Sequence, residues 1–249
     1  VSGSAAAAAQ WRRYRWEHPE WPLSAVALLA WAVVLLGAGG YGIAHMHGSA
    51  PWATTHAGRG VGEALAWWLV MVAAMMLPLA RADARWLANR SLARRRGRTV
   101  VLHILGFAGV WSWLGVAVVA IAALGARGPA VGAGALAVAA AWHVGPTRRR
   151  YLLRCGRGAV PAITGLRATT DCFRAGARTG WRCLVTCGFA MAAMAAVHSF
   201  VLMAAIAVLT ASERRAGPSP ARRAGRRSEG LGFAAVAIVV AGAAARAAV

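Results

Sequence analysis

Apolar runs long enough to cross a membrane alternate with blocks of arginine along this chain, and that alternation constrains its fold more than any motif does. A membrane helix needs about 20 mostly apolar residues. The runs that meet or approach this length are Leu23–Ala44, Gly62–Ala80, Val100–Leu124, the shorter Ala130–Val144, the long Trp181–Ala211 and Leu231–Val249. Hydrophobic residues make up 59% of the 249, and mean hydropathy is +0.53. A soluble domain of this length has too little interior to hide such a surface, and a disordered basic tail does not contain it. The reading is therefore all-α: a polytopic transmembrane helical bundle of about six to seven membrane segments with arginine-rich cytoplasmic loops. A basic cytoplasmic tail over residues 1–22 precedes a single transmembrane domain over 23–249. Small residues dominate the runs, so close helix packing is expected.

The formal charge is +21, from 28 basic and seven acidic residues, and every basic residue is arginine. The absence of lysine and the excess of alanine match a G+C-rich genome, and no recognition motif accompanies the charge, so no nucleic acid partner is expected. The placement of the arginines instead orients the spans. Arg12, Arg13 and Arg15 put the N-terminal tail in the cytoplasm. The stretch from His45 to Val61 holds only Arg59 and belongs outside. Arg81 to Arg98 holds seven arginines and Arg148 to Arg178 eight, so both belong inside, as does Arg214 to Arg227 with six. Two inside loops require an even number of crossings between them. The run from Trp181 to Ala211 is too long for one perpendicular helix, at about 46 Å, and short for two. A compact hairpin or re-entrant pair is favoured, with one long tilted helix as the alternative. The setting is a bacterial inner membrane, with the lipid bilayer as the first partner.

Four cysteines stand at 155, 172, 183 and 187. Cys155 and Cys172 lie in sequence that reads as arginine-rich loop, and the pattern is not that of a small disulfide-bonded domain. Cys183, Cys187, Met191, Met194 and His198 are different. At 100° per residue they fall within one arc of about 80° on a helix. Thiol, thioether and imidazole on one stripe suit a soft metal, above all Cu(I). Buried Met and Cys also serve as plain packing residues. The stripe is more than about 20 Å long, so the local sets are Cys183 with Cys187, and Met191 with Met194 and His198.

The second apolar run carries Met71 and Met75 four apart on one face, with Met76 turned about 100° away. Pro78 is expected to end or kink that helix. His45, Met46 and His47, with His56 beyond, form a soft-donor tract in the first outer loop, suited to capturing copper before membrane entry. His103 and His143 lie within apolar spans and must find a partner or a cavity. Glu63 complements the positive end of its helix. Asp83 and Asp171 sit among arginines and are expected to be ion-paired. There is no Ser/His/Asp set, Walker loop or dinucleotide fingerprint, and the shortage of carboxylates disfavours hard metals and paired-acid catalysis.

These residues resemble a prokaryotic family of predicted metal-binding integral membrane proteins, a domain of unknown function. Trp68-x-x-Met71-x-x-Ala74-Met75-Met76-Leu77-Pro78 is similar to its W-x-x-M-x-x-A-M-M-L-P signature. Pro146-Thr147-Arg148 through Leu152 to Cys155 resembles its T-P-L-K-x-x-C-L-x-x-C region. Gly180-x-x-Cys183-x-x-x-Cys187-x-x-x-Met191, followed later by Glu213-Arg214, resembles its G-x-x-C-x-G-C-C-W-x-x-M run ending in Glu-Lys. The likeness covers about residues 62–245. This chain departs from it in Thr186, which replaces the first Cys of the Cys-Cys pair, in Gly188 for the following Trp, and in Tyr151 for the first Cys of the middle motif. His198 falls near a usual Gly. Two soft ligands are thus missing and an imidazole is gained, which marks a divergent branch.

The function expected is metal handling or delivery, with copper as the metal. Cys183, Cys187 and Met191 are the main ligands, Met71, Met75 and Met76 face them, and His45, Met46 and His47 capture the ion outside. A metallochaperone or a membrane-complex partner would exchange metal with it. A membrane metalloenzyme and a metal-free scaffold subunit are the rival classes. Sulfurs of Met71 or Met75 converging on Cys187 or Met191 would favour a site over packing.

Overall fold

A computed structural model of the chain describes residues 2–39, 61–124, 129–154, 162, 164–197 and 200–215. Among them every regular element is helical. In chain order they are α1 (Ser2–Glu17), α2 (Trp21–Gly39), α3 (Val61–Asn89), a 3-10 turn (Ala93–Arg95), α4 (Arg96–Ala123), α5 (Pro129–Val144), α6 (Pro146–Arg154), α7 (Gly165–Val197) and α8 (Phe200–Arg215).

Two helical stretches, Val61–Asn89 and Ala93–Ile121, are long and apolar enough to cross a membrane. A third counts if the pair Ser4–Glu17 and Trp21–Leu36, bent by 96°, is one span. Ala133–His143 and Met203–Ser212 are shorter apolar helices. The outward faces of α2 and α4 carry Leu28, Leu29, Leu36, Leu105 and Trp113, all exposed. The final run, Leu231–Val249, lies outside the described residues.

Several segments differ from expectation, and in each case arginine or proline is the reason. The basic N-terminal tail is a helix, and Arg96 ties it down: its guanidinium lies 4.3 Å from the Trp16 ring and donates to the Trp16 carbonyl at 3.2 Å. Pro78 does not end α3, which continues to Asn89. A proline removes one backbone donor, and a helix packed on its neighbours tolerates that loss. The arginine-rich region after α5 is largely helical. Gly145 closes α5, Pro146 starts α6, and α7 begins at Gly165, where φ is +77°. Hydropathy scores this stretch as loop, but arginine is a good helix former. Cys172 therefore sits on a helix. The run from Trp181 to Ala211 is divided between α7 and α8, and Met203 and Ile206 of α8 join the same core as Met191.

The packing centre is the contact between α4 and α7. A Cβ at Gly106 would overlap the Phe173 carbonyl, and one at Gly176 would overlap the His103 carbonyl. At Gly180 it would lie 3.0 Å from the Phe107 carbonyl oxygen. The two backbones touch because Gly176 and Gly180 form a G-x-x-x-G pair facing Gly106. The matched pairs 103 with 176, 107 with 180, and 114 with 188 show that the two helices run in the same direction. α3 runs against them: Trp68, near its start, donates to the Trp111 carbonyl at 2.9 Å and occupies the space left by Gly115.

Gly176→Ala and Gly106→Ala should each destabilise the bundle by about 1–3 kcal/mol, since backbone would have to move. Gly109→Ala, where a Cβ meets nothing within 4 Å, should be neutral within about 0.5 kcal/mol. Unfolding of the detergent-purified chain measures the difference.

Candidate metal centre

The stripe on α7 points into the bundle. Cys183 is 0% exposed, Cys187 2%, Met191 0% and Met194 3%. The inward arc follows from the register that Gly176 and Gly180 impose, because 176, 180, 183 and 187 lie on one face. On α3, Met75 and Met76 are buried in the same core, while Met71 is partly buried against it.

Of the three methionines expected to face the cysteines, Met76 is the one whose sulfur meets Cys183. Cys183 Sγ donates to Met76 Sδ at 3.6 Å, a buried contact between residues far apart in sequence. Met76 was expected to turn away from the face of Met71 and Met75. It does turn, and the face it turns to is the one α7 occupies. A metal–sulfur bond of roughly 2.3 Å puts two sulfurs of a trigonal site roughly 4 Å apart. The observed pair needs only a small opening to admit a soft ion. Among the described residues no three of His, Cys, Asp and Glu converge to hold a metal. The convergence that exists is thiol with thioether, the donor chemistry of Cu(I).

The shell around the pair is polar and ordered. Thr186, buried, donates its hydroxyl back to the Arg182 carbonyl at 2.9 Å and the Cys183 carbonyl at 3.0 Å, and lies 3.5 Å from Cys187 Sγ. Thr186 stands where the resembling family has a cysteine, and here it braces the turn that carries both thiols. Arg148 was expected in a cytoplasmic loop. It is 4% exposed, and its Nε donates to the Thr186 carbonyl at 2.9 Å. Trp142 Nε1 donates to the neighbouring Val185 carbonyl at 2.7 Å, with its ring 5.0 Å from that of Phe189. The α5–α6 corner thus clamps the α7 segment 185–186 by two donors.

Composition does not distinguish Arg148 from Arg149 and Arg150; the one signal is that Arg148 falls at the Lys position of the T-P-L-K-x-x-C region it resembles. The role of Thr186 does have a signal, since Thr bonds back to the carbonyls three and four residues earlier. His143 is a packing histidine here, its Nδ1 lying 2.9 Å from the Ala139 carbonyl. Asp83 accepts from Thr179 Oγ1 at 3.3 Å, and Asp171 from the Ala162 N–H at 3.1 Å. His45, Met46, His47, His198 and Cys155 lie outside the described residues.

Comparison with known proteins yields one family. Its model, PpoB2, described as a copper chaperone, matches residues 65–240. No curated protein and no solved structure matches the chain. The matched stretch begins early in α3, runs through α8 and takes in Met71, Met75, Met76, Cys183, Cys187, Met191 and Met194. That extent, over most of the chain, places this protein in the PpoB2 family of copper chaperones.

Proposed function

We propose that this chain is a multi-pass protein of the bacterial inner membrane that holds Cu(I) between Cys183 and Met76 and passes it to a partner. The observation that carries the reading is the 3.6 Å thiol–thioether contact between α7 and α3. The charge balance supports it. A Cys183 thiolate neutralises Cu(I), and Met76 adds a donor without charge. A second thiolate from Cys187, one turn on, would leave a net negative charge. The buried Arg148 guanidinium, held at the Thr186 carbonyl beside Cys187, supplies the compensation. Met191 and Met194 continue the buried stripe for a further two turns and offer neutral soft donors along it. His45, Met46 and His47 serve as the outer capture tract, a role that rests on their donor chemistry. Two long apolar helices, leucine and tryptophan on the outer faces and arginine blocks between runs support the membrane setting.

The detergent-purified chain should bind about one Cu(I) per chain in competition with a chromogenic chelator. Cys183→Ser/Cys187→Ser should abolish that binding. Met76→Leu should weaken it about tenfold, roughly 1.4 kcal/mol, and Met71→Leu should leave it within about twofold. Unchanged copper in the double-cysteine variant would overturn the assignment.

Thr186→Cys should tighten Cu(I) binding by about tenfold, because it adds a thiol at the Cys187 turn. Arg148→Gln should lower stability by about 1–3 kcal/mol through loss of a buried charged donor. Arg150→Gln, on an exposed site, should change it by less than about 0.5 kcal/mol. Chelator titration reads the first and thermal unfolding the second.

A further inference from the structure

A second soft-donor position lies two turns from the sulfur pair. His103 is 1% exposed, and neither ring nitrogen has a hydrogen-bond partner in the structure. An imidazole in an apolar span is costly unless it has a partner or a ligand to take. It is not an incidental packing residue of the outer surface, for its own carbonyl sits against Gly176 in the closest part of the α4–α7 contact.

The parallel run of α4 and α7 fixes its height. Thr99 of α4 meets Cys172 of α7, with Sγ and Oγ1 3.9 Å apart, and one turn further His103 meets Gly176. Cys183 lies seven residues beyond Gly176, about 10 Å along the axis and within about 20° of the same face. On α3 the same spacing recurs, since Asp83 is seven residues from Met76. The Asp83 carboxylate lies within electrostatic reach of His103 and accepts from Thr179 of α7. Below this layer a cavity of about 10 Å³, room for one water-sized group, is lined by Ser91, Arg95, Arg98, Thr99 and Cys172 among others. Both arginines carry positive charge at its lining.

We propose that His103 is a Cu(I) transfer station between the cavity at Cys172 and the Cys183–Met76 pair. The inference rests on the copper-handling reading given above. An imidazole nitrogen binds Cu(I) less firmly than a thiolate with a thioether, so the ion passes on and is not trapped. Asp83 offsets the charge of the ion while it is there. On loading, a Cu–S bond of the thiolate complex breaks as the Cu–N bond forms at His103, and that thiolate leaves. On transfer the Cu–N bond breaks and a Cu–S bond forms at Cys183, whose released thiol proton ends on a departed thiolate, so charge is conserved and the imidazole is left neutral. The arginines at the cavity suit a partner that gives or takes copper as an anionic thiolate complex.

The test uses the full chain in detergent, with Cu(I) presented as its glutathione complex and copper–thiolate absorbance followed in time. His103→Gln should slow loading by about tenfold while final copper stays within about twofold of wild type. His103→Met has a similar volume and supplies a thioether donor, and should load within about threefold of wild type. Cys172→Ala should slow loading as well. Equal loading by wild type and His103→Gln overturns the inference and leaves the sulfur pair standing, as does equal slowing by Gln and Met, which is the mark of packing. A wild-type chain that takes up no copper overturns the copper reading and this inference together.

Discussion

The structure depends on the backbone contact between α4 and α7. In the membrane setting proposed for this chain the hydrophobic effect would not drive helices together, and association would rely on close packing of small residues. Gly106, Gly176 and Gly180 remove the side chains that would hold these helices apart. Once they touch, register is fixed along their shared length. That register turns Cys183 and Cys187 inward, sets His103 against Gly176 and leaves α3 to close the third side with Met76. The proposed metal centre is a consequence of where the glycines stand.

A second constraint works around the first. The α7 carbonyls at 185 and 186 each receive a side-chain donor from the α5–α6 corner, from Trp142 and Arg148. Thr186 adds its own hydrogen bonds to the same turn. A chaperone must hold its cargo in a fixed geometry and still release it. Thiol and thioether from two different helices meet that need, because a small change in helix spacing changes the donor set.

Much of this was legible from residue order. The apolar runs marked the helices, and the angular arc of Cys183, Cys187, Met191 and Met194 indicated a common face, which the burial of all four shares. A single helical wheel says nothing about where its neighbours stand, so which of Met71, Met75 and Met76 meets Cys183 was not legible. Hydropathy is blind to polar helix, which hid the first half of α7 and the burial of Arg148. His103 carried a visible sign, an imidazole inside an apolar run. Its position relative to the sulfurs needed the α4–α7 register. The copper-related character of the family was signalled by several weak motifs in one order, even though Thr186 and Tyr151 break two of them; membership itself rests on the match over residues 65–240.

The central claim is that Cu(I) is held by sulfur from both α7 and α3. X-ray absorption at the copper edge of the loaded, full-length chain tests it most directly. The account predicts a first shell dominated by sulfur that loses part of its sulfur scattering in Met76→Leu. A shell of nitrogen and oxygen alone, or one that Met76→Leu leaves unchanged, would contradict it.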